Sequence, residues 1–194
     1  FAEYKFERAM LDYDDLLIYL KLLLTSCSEI RRKVSQQYRY VMVDEYQDTN
    51  RVQAHLAALL ASEHQNLMVV GDDSQSIYSF RGAHFQNIMD FPKLFSGTRV
   101  IKLEENYRSR QPILDLTNQI IAGAHQKYEK ELYTTRAGQQ KPVFIETKTE
   151  NEQSQFVAQR ILELREEGVE LSDISVLFRN GWHSNDLEVE LSAL

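Results

Sequence analysis

An α/β fold built on a parallel sheet is the class this sequence predicts, and three observations predict it. Short apolar runs rich in β-branched residues, Val41 to Val43 and Leu67 to Val70, end abruptly in polar residues, as strands buried on both faces of a parallel sheet do. Segments with apolar residues at helical spacing lie between and after them, so strand and helix alternate in short succession. Acids follow each run, Asp44-Glu45 after the first and Asp72-Asp73 after the second. In open α/β sheets the carboxyl edge of the strands is where ligands bind.

The chain has 194 residues, enough for one well-cored domain or two small ones. A composition of 43% hydrophobic and 26% charged residues is that of an ordinary globular protein. The single cysteine, Cys27, excludes an internal disulfide framework and suits a reducing cytoplasm. Leu16 to Leu24, the longest apolar stretch, is interrupted by Lys21 and too short to span a bilayer. No membrane partner is expected, and no secretory signal is recognisable. The net charge of −7 argues against a broadly basic surface. Nucleic-acid contact therefore calls for a focused groove, since binding needs only a local basic stripe. The five histidines are scattered without metal-ligand spacing, which argues against zinc. The chain begins at Phe1 without methionine and stops within a helical pattern, so it is read as a piece of something longer.

Residues 1 to 37 read as helical. Asp12 caps a helix with apolar face Leu16, Leu20, Leu23 and Leu24, and Ser28 caps a second one carrying Arg31, Arg32 and Lys33. After the first strand, Thr49-Asn50 opens a helix with stripe Val52, Leu56, Leu59 and Leu60. Gly71 turns the chain after the second strand without a Cβ clash. The loop 74–84 interleaves Tyr78 and Phe80 with Gln75 and Arg81. Aromatic faces beside a guanidinium suit the stacking of unpaired bases; burial of both rings under the loop is the competing reading. Thr98 to Leu103 reads as a strand, and Pro112 suits the first turn of a helix carrying Ile113, Leu116 and Ile120. Residues 123 to 142, with Gly123, Gly138 and Pro142, read as a long loop or a short helical excursion. Val143 to Thr147 and Ile174 to Phe178 read as strands around a helix, Asn151 to Glu167, with Val157, Ile161 and Leu164 inward. Leu187, Leu191 and Leu194 mark a final helix.

Asp44 and Glu45 at a strand's carboxyl end suit metal coordination and base chemistry on a phosphate. A solvated turn in which Asp48 or Asn50 caps the next helix accounts equally well for this stretch taken alone. The order of three stretches narrows the choice. Val-Asp-Glu-Tyr-Gln-Asp at 43 to 48, Val-Gly-Asp-Asp-Ser-Gln-Ser-Ile-Tyr-Ser-Phe-Arg-Gly-Ala at 70 to 83 and Leu-Glu-Glu-Asn-Tyr-Arg-Ser at 103 to 109 closely resemble helicase motifs II, III and IV of the UvrD/PcrA/Rep group of superfamily 1 DNA helicases. Asp12-Tyr13-Asp14-Asp15-Leu16-Leu17 and Ser175 to Leu191 resemble flanking segments of the same group.

That resemblance implies parts of two RecA-like parallel-sheet domains with flanking helices, residues 1–103 belonging to the first and 104–194 to the second. It implies an ATP-dependent helicase working on single-stranded DNA and duplex junctions, with ATP and Mg²⁺ as cofactors and DNA-repair or recombination proteins as partners. By the same resemblance Asp44 holds Mg²⁺ through its water shell and Glu45 activates the attacking water. Gln75 senses the γ-phosphate, Arg108 reaches it across the cleft and Tyr107 stacks on adenine. Those roles supply the positioning and charge neutralisation that phosphoryl transfer requires. Tyr78, Phe80, Arg81 and Arg179 fall where the family contacts DNA.

Two positions depart from the family pattern. Phe80 stands where tryptophan is usual, and Arg179-Asn180-Gly181 replaces Arg-Ser-Asn. None of the seven glycines opens a Gly-x-x-x-x-Gly-Lys-Ser/Thr loop, so the isolated chain is expected to be inactive. The alternative expectation is a non-catalytic module that binds single strands or a repair partner.

Overall fold

A computed structural model describes residues 1–192. The chain forms two compact units, Phe1–Gln140 and Lys141–Leu194. Three helices open the first: α1 (Ala2–Glu7), α2 (Tyr13–Ser26) and α3 (Ser28–Gln37). As expected, Asp12 caps α2, and Asp15 reciprocates: the Asp15 N–H donates to Asp12 Oδ1 at 3.0 Å and the Asp12 N–H to Asp15 Oδ2 at 2.9 Å. At the start of α3 the cap position is Cys27, which makes no side-chain cap bond, and Ser28 is already helical. Helix α2 turns Leu17, Lys21 and Leu24 inward and leaves Leu16, Leu20 and Leu23 exposed, a correction to the expected face. The helix is apolar almost all round, so periodicity alone does not choose a side, and the Lys21 stem packs like a short hydrocarbon.

Strands β1 (Val41–Val43) and β2 (Leu67–Val69) pair in parallel with Val41 opposite Leu67 and Val43 opposite Val69. Helix α4 (Arg51–Leu60) forms the crossover between them, started by a reciprocal Asn50–Gln53 capping box. Its expected stripe is borne out, with Val52, Leu56, Leu59 and Leu60 buried or half-buried. The strands are not covered on both faces as expected. Met42 and Met68 are 67% and 52% exposed, while Val41, Val43, Leu67 and Val69 are half-buried. Alternate residues point to opposite faces, and among the described residues only one face has a core behind it. That core is Tyr46, Ile88 and Phe91 with Val43, Ala54, Leu67, Val69 and Tyr128 packed around it.

Ile88 and Phe91 come from α5 (Gln86–Leu94), which sequence periodicity did not reveal. Pro92 masks it, because proline inside a helix removes an N–H and orphans the carbonyl four residues back. Here that carbonyl belongs to Ile88, and the Tyr128 hydroxyl donates to it at 2.9 Å. Helix α6 (Gln111–Ala122) carries Pro112 in its first turn as expected, yet buries Leu114 and exposes Ile113, Leu116 and Ile120. Lys127 Nζ donates to the final carbonyls of α6, Ala122 O at 2.7 Å among them.

The second unit holds α7 (Glu150–Glu166), capped by Thr149, and α8 (Ser184–Ser192). The two helices pack together, and Ser154, Ala158 and Leu187 are buried. Small side chains at i and i+4 permit a close approach. Val157, Ile161 and Leu164 are half-buried, as read from their spacing, while Leu194 lies outside the described residues. The segments 98–103, 143–147 and 174–178 are not β-strands, correcting three expectations. A strand exists through a hydrogen-bonded neighbour, and among the described residues none runs beside them. The one ladder contact nearby is the isolated parallel bridge between Glu105 and Tyr133. The result is an α/β chain with a small parallel sheet, matching parts of RecA-like domains with flanking helices. Among the described residues no helix is long and apolar enough to cross a membrane.

Candidate active site and nucleic-acid interface

The carboxyl ends of β1 and β2 are pinned together: the Val70 N–H donates to Val43 O at 2.8 Å and the Tyr46 N–H to Val70 O at 2.9 Å. Immediately past β1 the chain turns hard. Glu45 sits in the left-handed region at φ 49°, ψ 42°, a conformation costing a non-glycine residue about 1–2 kcal/mol. Such strain collects at functional positions. The turn leaves Asp44 and Glu45 exposed on the sheet edge. Asp44 Oδ1 accepts from the Glu45 N–H at 2.9 Å.

Beneath this turn lies Gln47, 1% exposed. Its amide faces two ways. Nε2 donates to Glu45 Oε2 at 2.8 Å, and Oε1 accepts from the Asp72 N–H at 3.0 Å. Gly71 makes that possible, because a Cβ there would lie 2.5 Å from Gln47 Oε1 and 2.9 Å from Ile88 Cδ1. The role expected for Gly71 is therefore close approach to a side chain rather than an unusual backbone angle.

Asp72 continues the chain of contacts. Its Oδ2 accepts from Gln75 Nε2 at 2.9 Å, and its Oδ1 accepts from the Ser74 N–H at 2.9 Å and from Lys130 Nζ. Lys130 also donates to Asp73 Oδ1 at 2.9 Å, and the Tyr128 N–H donates to Asp73 Oδ2 at 3.0 Å. Partial burial works against the charged forms of both Asp72 and Lys130. Hydrogen bonds outweigh it: those from the Gln75 amide, Lys130 and the Ser74 N–H hold the Asp72 carboxyl below its ordinary value, and those to Asp72 and Asp73 hold the Lys130 ammonium above its own.

The loop at 78–81 presents its rings to solvent, contrary to the reading that buries them; Phe80 is 76% exposed. The Tyr78 and Phe80 ring centroids are 6.0 Å apart, and the Arg81 guanidinium lies 5.4 Å from one and 5.5 Å from the other. The loop is anchored behind. Gly82, at φ 84°, closes its turn, and the His84 N–H donates to Thr49 O at 2.9 Å.

Asn106 Oδ1 accepts from the Arg108 and Ser109 N–H groups at 2.9 and 2.6 Å, forming a tight polar turn that displays Tyr107 and Arg108. Tyr107 is 73% exposed, and its hydroxyl donates to Glu105 Oε2 at 2.8 Å. That bond, with the neighbouring carboxylate's charge, raises the phenol's pKa. Among the described residues Arg108 forms no ion pair. Residues 128–133 join this turn to the acids above: Lys130 grips Asp72 and Asp73, the Glu131 N–H donates to Glu104 Oε1 at 2.9 Å, and the Asn106 N–H to Tyr133 O at 2.7 Å. An open groove lies between α6 and this segment, bordered by Glu104, Asn118 and Lys130 rather than by Asp44. In the second unit Arg179 is exposed, shortly before Trp182, which stacks on His183 with centroids 3.7 Å apart.

Three residues of this network were not singled out by sequence: Gln47, Tyr128 and Lys130. The only visible signal was the alternation Tyr128-Glu129-Lys130-Glu131-Leu132-Tyr133 inside a segment otherwise read as loop. As for a metal, among the described residues no three His, Cys, Asp or Glu side chains gather into a cluster. Asp44 fits Mg²⁺ nonetheless. It is exposed and its Oδ2 has no hydrogen-bond partner among the described residues. Mg²⁺ keeps most of its waters and needs one or two carboxylates beside substrate phosphates.

Residues 1–96 match the UvrD/REP helicase N-terminal domain, and residues 101–194 match the UvrD-like helicase C-terminal domain. A Rickettsia conorii protein named "Probable DNA helicase II homolog" is 41% identical over 92% of this chain and 28% of its own length. The "DNA helicase II" of Rickettsia typhi is 40% identical over 92% of the chain and 27% of its own length. The "ATP-dependent DNA helicase PcrA" of Staphylococcus aureus is 38% identical over 92% and 24%. The chain thus spans about a quarter of the length of these curated relatives.

Proposed function

Because the chain belongs to the UvrD/PcrA-type helicase family, we propose that the intact protein carrying it is a DNA helicase that couples Mg-ATP hydrolysis to movement along single-stranded DNA. The observation that carries this reading is the unbroken contact chain Glu45–Gln47–Asp72–Gln75 along the carboxyl edge of the sheet. It puts a candidate base and a candidate phosphate sensor on one rigid frame. Glu45, oriented by its strained turn and by Gln47, keeps an oxygen free to accept a proton from the attacking water. Asp44 holds the hydrated Mg²⁺, which when bound neutralises charge on the ATP phosphates. Gln75 contacts the γ-phosphate, Arg108 offsets charge that builds there, and Tyr107 stacks on the adenine. Tyr78, Phe80 and Arg81 take unpaired bases, and Arg179 takes a DNA phosphate.

The division into residues 1–103 and 104–194 belongs to the same proposal. The break between the two family matches, after residue 96 and before residue 101, supports it. The compact units divide later because residues 128–133 fold back onto Asp72 and Asp73. Without a phosphate loop, the isolated chain does not turn over ATP. Duplex junctions, repair proteins and a cytoplasmic setting follow from the family reading.

The exposed Tyr78–Phe80–Arg81 cluster favours one further reading, single-strand binding by this chain alone. Titration of a fluorescent oligo-dT into the chain tests the interface. Each stack contributes about 1–3 kcal/mol, so Phe80→Ala weakens binding by about 5- to 150-fold and Arg81→Ala flattens its salt dependence. Undiminished binding by both variants removes the cluster from the interface. Binding by the chain, together with an intact protein that shows no ATPase, establishes the non-catalytic module instead.

A further inference from the structure

Among the described residues Lys130 is the one cation on two adjacent carboxylates, Asp72 and Asp73, and its side chain is 15% exposed. Both oxygens of Asp72 are engaged: Oδ1 by Lys130 and the Ser74 N–H, Oδ2 by the Gln75 amide. The rotation of that carboxylate therefore fixes Gln75. With Nε2 donating to Asp72, the second amide N–H and Oε1 of Gln75 are left for a ligand. Neighbours of Lys130 hold the other side. The Tyr128 N–H and hydroxyl are tied to Asp73 and to Ile88 O, and residues 131 and 133 bind Glu104 and Asn106 next to the Tyr107–Arg108 turn. Hydrogen bonds from Gln75 through Asp72 to Lys130, and from there the backbone to residues 131 and 133, make a contiguous physical path to that turn.

We propose that Lys130 is a positioning residue of the nucleotide site, which orients the Gln75 amide through Asp72 and links it to the Tyr107–Arg108 turn through residues 128–133. The proposal rests on the nucleotide-site reading above. It goes beyond that reading in assigning a coupling role to a lysine in a loop far along the sequence from all three motifs.

The test is a double-mutant cycle in the intact protein, measuring ATP hydrolysis with and without single-stranded DNA for Lys130→Gln, Lys130→Arg, Gln75→Ala and Lys130→Gln with Gln75→Ala. Lys130→Gln lowers the DNA-stimulated kcat by about 10- to 100-fold, up to the scale on which a misplacement of about 1 Å acts, and shifts KM for ATP by less than about twofold. Lys130→Arg recovers most of the rate, since its guanidinium still spans both acids. In the double variant the losses do not multiply, because both changes break one path. Normal stimulation in Lys130→Gln, multiplying losses, or a loss that Lys130→Arg does not recover would overturn the proposal. If Lys130→Gln does not fold, Asp72→Asn replaces it in the cycle, with the same expected non-additivity and the same overturning result. A wild-type protein without ATPase refutes the nucleotide-site reading itself, and is thereby distinguished from failure of the Lys130 assignment.

Discussion

Replacing Gln47 with methionine removes a single amide from the centre of the site while nearly conserving side-chain volume. Two bonds go: the donation to Glu45 Oε2 at 2.8 Å and the acceptance from the Asp72 N–H at 3.0 Å. They are not equal in cost. Glu45 is exposed and rebinds water, so that loss is small. The Asp72 N–H is left without a partner, which costs about 1–3 kcal/mol. The methionine swap adds under about 1.5 kcal/mol for shape. A net destabilisation of about 2 kcal/mol follows, lowering the urea midpoint by about 1 M at the usual slopes. Urea unfolding followed by circular dichroism measures the midpoint. Amide exchange at Asp72 measures the local effect, since that N–H loses its protection. A midpoint within error of wild type, with Asp72 still protected, refutes the relay role of Gln47.

Gly71→Ala strikes the same amide from the other side, because the added Cβ meets Gln47 Oε1 at 2.5 Å; it destabilises by about 1–3 kcal/mol, and an unchanged urea midpoint contradicts this. The Lys130–Asp72 pair also gives stability a pH signature. The depressed Asp72 carboxyl contributes stability present above its unfolded value and lost as pH falls through the folded one; the raised Lys130 ammonium contributes stability present below its unfolded value and lost as pH rises through the folded one. The contribution is therefore complete from about pH 4 to about pH 10. Lys130→Gln flattens the acid limb of the urea-midpoint profile, and a profile parallel to wild type speaks against the pair.

The parts legible in the sequence were those governed by local rules. Asp12 and Asn50 announced helix starts because a capping box is a short-range pattern. β1 and β2 were visible as apolar runs ending in acids, and the stripe on α4 read correctly because one side of that helix is plainly polar. Helix α2 shows the limit: with leucines on every side, only its neighbours decide that Leu24 is inward and Leu16 is not. Helix α5 stayed hidden because the penalty for Pro92 is offset by a hydroxyl from Tyr128, 36 residues further on in the sequence. The strands expected at 98–103, 143–147 and 174–178 failed for a related reason, since a strand depends on a partner that its own residues do not encode. At the site, the exposed carboxylates, the aromatic loop and the Tyr107–Arg108 turn could each be named from sequence. The relay through Gln47 and the grip of Lys130 could not, because they join residues 25 and 58 positions apart.

We propose that Glu45 serves ATP hydrolysis from a frame built on the sheet edge. Glu45→Gln in the intact protein tests it most directly, since glutamine keeps the size of the side chain and removes the base. The predicted result is ATP binding retained, with DNA-stimulated turnover reduced by about 10²- to 10⁴-fold, the range for loss of a positioned base. Turnover close to wild type would remove Glu45 from the chemistry.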